Sequence, residues 1–261
     1  MNENALRIEN ISKTFVSDSG IVPVLENINL EVKTGEFICI VGPSGCGKTT
    51  LLHILAGLES SDGGCIYYKG KRLLEAGPER LVILQELGLF PWLTVEKNVE
   101  FGLKIKKVAP KKRRAIVRDY LDMVNLLNFK DSFIHELSGG MKQRVALARA
   151  LVIEPEILLM DEPFAALDAQ TRDMLHIELQ RIWEMTKKTI LFVTHNVREA
   201  VCLADRVIAL SAYPAKIINT YTIELLRPRH IEDPGLMEIV RPILGGLKSE
   251  IEKVHKKEFN G

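Results

Sequence analysis

A chain of 261 residues, 46% apolar and 26% charged, is long enough for one or two globular domains with a substantial core. Its net charge of +1 gives no overall pull toward nucleic acid or an anionic membrane surface, and no run of 18 apolar residues marks a bilayer span. Four scattered cysteines (Cys39, Cys46, Cys65 and Cys202) lack C-x-x-C spacing, so a zinc site and a disulfide framework are not indicated; reduced thiols in the cytosol are the simplest reading.

The polar start, Met1-Asn2-Glu3-Asn4, carries no signal-peptide pattern. Residues 5–35 read as short antiparallel strands: Leu6–Ile11 and Ile28–Val32 alternate apolar and polar residues, with a turn at Ser17-Asp18-Ser19-Gly20. Phe15, just before that turn, either packs under the strands or offers a face for a base to stack on. Phe37–Val41 is an apolar, β-leaning run bounded by Gly35 and Gly42, as a buried parallel strand requires. Gly42-Pro43-Ser44-Gly45-Cys46-Gly47-Lys48-Thr49 then fits G-x-x-x-x-G-K-[ST], and Thr49-Thr50 opens a helix-like run to Gly57. Glycines let several backbone N–H groups face one anion, and the helix start adds partial positive charge. Lys48 can reach β- and γ-phosphate oxygens, and the Thr49 hydroxyl can hold Mg²⁺.

Farther on, Ser60–Gly64 is a turn, Cys65–Tyr68 a short strand, and Leu81–Leu84 an apolar strand ending at Gln85. From 94 to 154 the apolar spacing becomes helical, with Val117, Leu121, Val124 and Leu127 on one face. Eight basic residues and no acid fall between 104 and 118. Without interleaved aromatics, and after Pro110, this run reads as a solvated helix start in preference to a nucleic-acid patch. Leu137-Ser138-Gly139-Gly140-Met141 precedes another helix, so two glycines and a serine make a second anion-binding helix start or a plain cap. Ile157–Met160 is a strand that runs into Asp161-Glu162, Asp173–Met185 reads as a helix, Thr189–Val193 runs into Thr194-His195, and Val207–Leu210 is a further strand. The charged tail beyond about 226 reads as a helical extension.

Four apolar strands thus end on groups suited to phosphate, metal or water: the glycine loop, Gln85, Asp161-Glu162 and His195. In an open parallel sheet these ends share one edge, so the groups converge. Asp161 can hold Mg²⁺ directly or through water, Glu162 can polarise a water aimed at the γ-phosphate, Gln85 suits metal and water as a neutral donor and acceptor, and His195 can orient Glu162 or the water.

With these residues in this order, residues 5 to 225 resemble the ATP-binding cassette (ABC) ATPases. Leu137–Met141 is similar to the family signature, with Met where Gln is commonest; Gln85 matches the Q-loop, Asp161-Glu162 the Walker B end, Ala166-Leu167-Asp168 the D-loop, His195 the switch histidine, and Phe15 the adenine-stacking aromatic, where Tyr is commoner. The resemblance implies an α/β P-loop NTPase (RecA-like) core with an N-terminal antiparallel β-subdomain, a helical subdomain inserted at about 90–155, and a short extension at 226–261. It implies ATP and Mg²⁺ as ligands. Phe15, the loop from Gly42 through Pro43, Ser44, Gly45, Cys46, Gly47, Lys48, Thr49 and Thr50, the signature residues Ser138, Gly139 and Gly140, and Asp168 would contact nucleotide. Thr49, Gln85 and Asp161 would hold the metal, and Glu162, His195 and Gln85 would be catalytic.

The family also implies a head-to-tail pair of copies with ATP between them, two transmembrane permease subunits and, through these, an extracytoplasmic solute-binding protein, with no nucleic acid, at the cytoplasmic face of the membrane. The aromatic stretch Gly88–Val95, residues 161–168 and residues 209–217 look like the nitrate/sulfonate/taurine-type import ATPases; Phe90 and Trp92 read as core or, as the resemblance to ABC importers implies and in preference, as the groove that docks the permease. Other importers (bicarbonate or a thiamine precursor), a non-transport cassette acting on nucleic acid, and a phosphate-loop kinase are the rival readings.

Overall fold

The computed structural model describes residues 4–17 and 20–259; the polar start at residues 1–3 and the turn residues 18 and 19 lie outside the described residues. Two sheets are stacked. The first joins β1 (Asn4–Ser17) and β2 (Gly20–Lys33) in one long antiparallel pair, with β4 (Gly63–Tyr68) and β5 (Lys71–Arg72) beyond β1 in the order β2-β1-β4-β5. These two strands run farther than the short alternating stretches in the sequence suggest.

The second sheet contains β3 (Phe37–Val41), β6 (Arg80–Ile83), β7 (Ile157–Asp161), β8 (Thr189–Val193), β9 (Arg206–Leu210) and β10 (Ile217–Thr222), in the order β10-β9-β3-β8-β7-β6. All its neighbours pair in parallel except β10, which lies antiparallel on β9. The strand β6 stops at Ile83, and Leu84 is 41% exposed, because beyond Ile83 the chain leaves the ladder toward the helices.

The central strands are buried from end to end, which their unbroken apolar sequences anticipate. Because side chains alternate across a strand, each strand serves two cores. Ile38 and Ile40 of β3, with Leu191 and Val193 of β8, pack toward the antiparallel sheet and α1 (Lys48–Ala56). Phe37, Cys39 and Val41, with Ile190 and Phe192, pack toward the remaining helices.

Between β6 and β7 lie α2 (Val95–Ile105), α3 (Pro110–Met123), two single 3-10 turns and α4 (Gly139–Leu151). Pro110 stands in the first turn of α3, where its missing N–H has no helical partner to lose. Three of the basic residues in this region are tied internally: Lys104 pairs with Glu100 at 2.7 Å, Arg113 pairs with the same carboxylate, and Lys106 Nζ donates to the Ile153 carbonyl at 2.6 Å. The chain closes with α5 (Ala169–Thr186), α6 (Val197–Leu203) and α7 (Pro234–Phe259).

The last helix is packed onto the body of the protein. Leu236, Val240, Ile243 and Leu247, spaced by three and four, sink into the core on the α6 side. Arg229, in the segment leading to α7, is buried, and among the described residues it forms no ion pair with a carboxylate. Its guanidinium instead donates to the carbonyls of Val201 at 2.9 Å, Ala204 at 2.6 Å and Leu225, which fastens the segment to the end of α6. Burial lowers its pKa to about 10.

An adjacent pair of α7 residues tests this packing. Ile243→Ala removes a fully buried side chain and is expected to cost about 2–5 kcal/mol in denaturant unfolding. Leu244→Ala, at a site 43% exposed, is expected to cost less than about 0.5 kcal/mol.

Candidate functional site

The phosphate loop leaves β3 at Gly42 and enters α1 at Lys48. Gly45 and Gly47 have φ of +69° and +113°, a region open to glycine. Gly47 is the N-cap of α1 and supplies no side chain to the helix start, so the first amides of α1 are left for an anion. Lys48 is buried, and its ammonium donates to the carbonyls of Gly42 at 3.0 Å and Pro43 at 2.8 Å, closing the loop over the place a phosphate would take. Cys46 lies beneath the loop, where burial raises its thiol pKa. Ser44 and Gly45 form the exposed apex, and Thr50 is half-buried one residue into α1 beyond Thr49.

Two strands away, β7 delivers Asp161 and Glu162. The Thr49 hydroxyl donates to Asp161 Oδ1 at 3.0 Å, which links the loop to the end of β7. Asp161 is buried, and that burial raises its pKa, against the opposing effects of Thr49, His53 and Lys48. A hydroxyl and a buried carboxylate are hard oxygen donors that a divalent cation would join. Among the described residues no three His, Cys, Asp or Glu side chains are grouped as a metal site. Two protein oxygens completed by nucleotide phosphates suit Mg²⁺, so the donor set fits.

Glu162 has a φ of +41°, which for a residue with a side chain is a left-handed conformation. Its N–H donates to the Val193 carbonyl at 3.0 Å, and its carbonyl accepts from Ala165 N–H at 3.2 Å, so the chain turns sharply there. The turn brings its carboxylate to His195, whose Nδ1 lies 2.8 Å from Glu162 Oε2. An ionised carboxylate only accepts, so the Nδ1–H donates and Nε2 is left facing outward. The histidine is 57% exposed at the end of β8.

A buried network missing from the sequence reading stands behind His195. Glu199 receives the Thr194 hydroxyl on one oxygen and His176 Nε2 at 2.8 Å on the other. Thr194 in turn accepts from Asn196 N–H at 3.0 Å. The stretch Asn196-x-x-Glu199 resembles a helix capping pattern, and Asn196 does cap α6; the buried partner, His176 on α5, has no trace in that spacing.

Gln85 is exposed two residues past β6, with no hydrogen bond to Thr49, Asp161, Glu162 or His195. The loop after it is gripped by α4, since Arg149 donates to the carbonyls of Leu87 at 2.6 Å and Gly88 at 2.7 Å. Phe15 is 39% exposed on β1 with the Lys13 ammonium 5.0 Å from its ring, so it is not packed under the strands. At the other end of α4, Ser138 is the N-cap and accepts from Met141 N–H at 3.3 Å, with Gly139 beside it exposed.

A Cβ on Gly140 would meet Thr171 at 2.6 Å and one on Gly139 would meet Leu167 at 3.0 Å, so the two glycines permit close packing on the segment around Asp168. Asp168 caps α5 by accepting from Thr171 N–H at 2.9 Å, and this bond lowers its pKa. No hydrogen bond joins Ser138–Gly140 to the Gly42–Thr49 loop of the same chain. The structure therefore assembles Lys48, Thr49, Asp161, Glu162 and His195 on one sheet edge and leaves the α4 start facing outward.

Comparison with known proteins agrees with this geometry. The ABC transporter family model matches residues 25–165. The nitrate import ATP-binding protein NrtD of Synechocystis sp. is 48% identical over 220 residues, 84% of this chain and 83% of that protein. The aliphatic sulfonates import ATP-binding protein SsuB of Bacillus cereus is 44% identical over 237 residues, 91% of this chain and 93% of that one. Among solved structures, the dimeric MJ0796, a bacterial ABC transporter cassette, superposes with a TM-score of 0.74 at 31% identity, covering 85% of this chain and all of the other. The same cassette is also known as a dimer in a post-hydrolysis state bound to ADP and Pi. With the phosphate loop, the acidic strand end and the histidine in place on one edge, and with these likenesses over most of its length, the chain belongs to the ABC transporter family as an ATP-binding cassette.

Proposed function

We propose that this cassette is the ATP-hydrolysing subunit of an importer for a small anion, working as a head-to-tail pair at the cytoplasmic face of the membrane. The catalytic part rests on one observation, the 2.8 Å bond between His195 and Glu162 on the edge that also carries the phosphate loop. The loop amides and Lys48 bind the triphosphate, Lys48 exchanging its two carbonyl partners for phosphate oxygens. Phe15 stacks on the adenine. Thr49 and Asp161 would hold Mg²⁺, joined by Gln85 once its loop closes on the site, and the ion would neutralise phosphate charge. Glu162 accepts the proton of the attacking water, and His195 fixes the carboxylate while its Nε2 side faces the γ-phosphate.

One copy lacks part of the site. The N-terminus of α4, where Ser138 and Gly139 are exposed and Gly140 is buried against Thr171, meets no phosphate of its own chain and supplies the γ-phosphate contact in a second copy; Asp168 lies at the same junction. The dimeric form of the related cassette supports this arrangement. ATP then holds two positively disposed edges together, and its hydrolysis releases them.

Transport needs a membrane partner. Trp92 is 70% exposed and lies beside Phe90, which with Phe101 lines a groove of about 360 Å³ whose other, mostly apolar walls include Leu81, Ile83 and Leu87. Buried Asn98 holds the groove's rim, accepting from Phe90 N–H at 2.8 Å and donating to the carbonyls of Leu93 and Thr94. Exposed aromatics on a fixed loop suit a permease helix, and Arg149 connects this loop to the helix that begins at Ser138. Nitrate and aliphatic sulfonates, named for the two relatives, are both small oxyanions, which supports an anion as cargo. A solute-binding protein would deliver it through the permease.

Replacing the base separates binding from chemistry. Glu162→Gln is expected to retain ATP binding, lose at least about 100-fold in hydrolysis, and run as an ATP-dependent dimer in light scattering; a normal turnover rate would remove Glu162 from the role of base. In the intact membrane complex, nitrate or a sulfonate with its binding protein is expected to stimulate ATP turnover, and stimulation by sugars alone would overturn the anion assignment. Trp92→Ala is expected to reduce that stimulation severalfold while the isolated cassette keeps its basal rate, as befits an interface aromatic.

A further inference from the structure

Three segments press on the phosphate loop from outside. A Cβ added at Gly47 would lie 2.8 Å from the Val24 side chain, and one at Gly42 would lie 3.2 Å from Leu210. Both neighbours belong to strands, and both contacts are the packing a sheet edge requires. At Gly45 the neighbour differs. An added Cβ would lie 2.6 Å from the hydroxyl oxygen of Tyr213, which comes from the loop between β9 and β10. The polar tip of a long, stiff side chain therefore rests on the exposed apex of the cradle, at a glycine with left-handed backbone.

The loop that carries Tyr213 is anchored on both sides. Ser211 N–H donates to the Lys216 carbonyl at 2.9 Å, and the Ser211 hydroxyl donates to the Pro214 carbonyl at 3.0 Å and accepts from Lys216 N–H at 2.9 Å. Ala215 exchanges backbone bonds with β2, giving its N–H to the Val24 carbonyl at 2.8 Å and accepting from Glu26 N–H at 3.0 Å. A further anchor comes from the C-terminal helix. Glu250 is buried, and its Oε2 accepts from Ala212 N–H at 2.8 Å, while its Oε1 pairs with Lys253 at 2.6 Å. Lys253, with the Ala212 bond, lowers the pKa of this carboxyl, so it is charged and accepting.

We propose that Tyr213 is a positioning residue for the phosphate loop, and that α7 sets nucleotide affinity through it by way of Glu250 and Ala212. The inference rests on Gly42–Thr49 being the triphosphate cradle. A loop with glycines at 42, 45 and 47 has many conformations to lose when its amides gather round an anion. A side chain that blocks one direction of movement at Gly45 removes part of that loss in advance, which appears as affinity. Residue 250 lies far from the cradle in sequence, so a partner that draws α7 away from Ala212 would weaken nucleotide binding without touching it.

The test uses the full chain and titrates Mg-ATP and Mg-ADP with a fluorescent analogue, alongside thermal melting. Tyr213→Ala is expected to weaken binding about tenfold and Glu250→Ala about fivefold, in the range that loss of preorganisation produces. Because the two act in series, the double variant should bind no more weakly than Tyr213→Ala alone, whereas independent structural damage would add. Glu250→Gln keeps an acceptor oxygen and is expected to recover most of the affinity. Additive losses, or parental affinity in Tyr213→Ala, would overturn the proposal. Should Glu250→Ala fail to fold, Tyr213→Ala against the parent still decides. Lys48→Ala serves as the control: if it binds nucleotide like the parent, the cradle assignment falls and this inference with it. If it loses binding while Tyr213→Ala does not, only the inference falls.

Discussion

The hydrogen bond from Thr49 to Asp161 spans 112 positions of sequence and closes the site. It exists because β3, β8 and β7 run parallel and side by side, so their carboxyl ends reach the same edge at the same height. A parallel sheet of this kind must be covered on both faces, and the two cores on either side of β3 and β8 provide that cover. Asp161 faces Val193 in the ladder, one residue short of Thr194 and two short of His195. The register that buries the strands is therefore also the register that sets Glu162 beside His195.

Charge at this edge is held in place by unequal burial. Lys48 and Asp161 are withdrawn from solvent, and each has short polar partners, the Gly42 and Pro43 carbonyls for Lys48 and the Thr49 hydroxyl for Asp161. Glu162 and His195 are more open to solvent. Behind them, Glu199 is buried between Thr194 and His176, so the turn that presents His195 is fixed from the protein side. Burying a carboxylate is unfavourable unless its oxygens are satisfied, and here each oxygen has a donor. At Glu162 the backbone takes a left-handed conformation, and the turn it makes brings the carboxylate to His195.

The helices link the edge to distant surfaces. Helix α4 begins at Ser138 and grips the Gly88 loop through Arg149, so the proposed phosphate contact and the aromatic groove sit at two ends of one rigid rod. Arg144 pairs with Glu178 at 2.8 Å and ties that rod to α5, whose N-cap is Asp168. Helix α7 reaches back to the cradle through Glu250 and the Tyr213 loop.

Much of this was legible along the chain. The glycine loop flanked by strand and helix, the acids after Met160 and the histidine after Val193 are local patterns, and each pattern implies its chemistry because spacing within one turn or strand end is set by short-range geometry. Parallel packing of apolar strands follows from their unbroken runs. What the pattern left open depended on contacts between residues far apart. Whether Phe15 was buried, that Gln85 would stand clear of Thr49 and Asp161, that His176 would lie behind Thr194, that Tyr213 would meet the cradle and that Glu250 would hold its loop were decided only when the layers packed. Periodicity reports which face of an element is apolar; which side chain of another element that face will meet is settled by the tertiary arrangement alone.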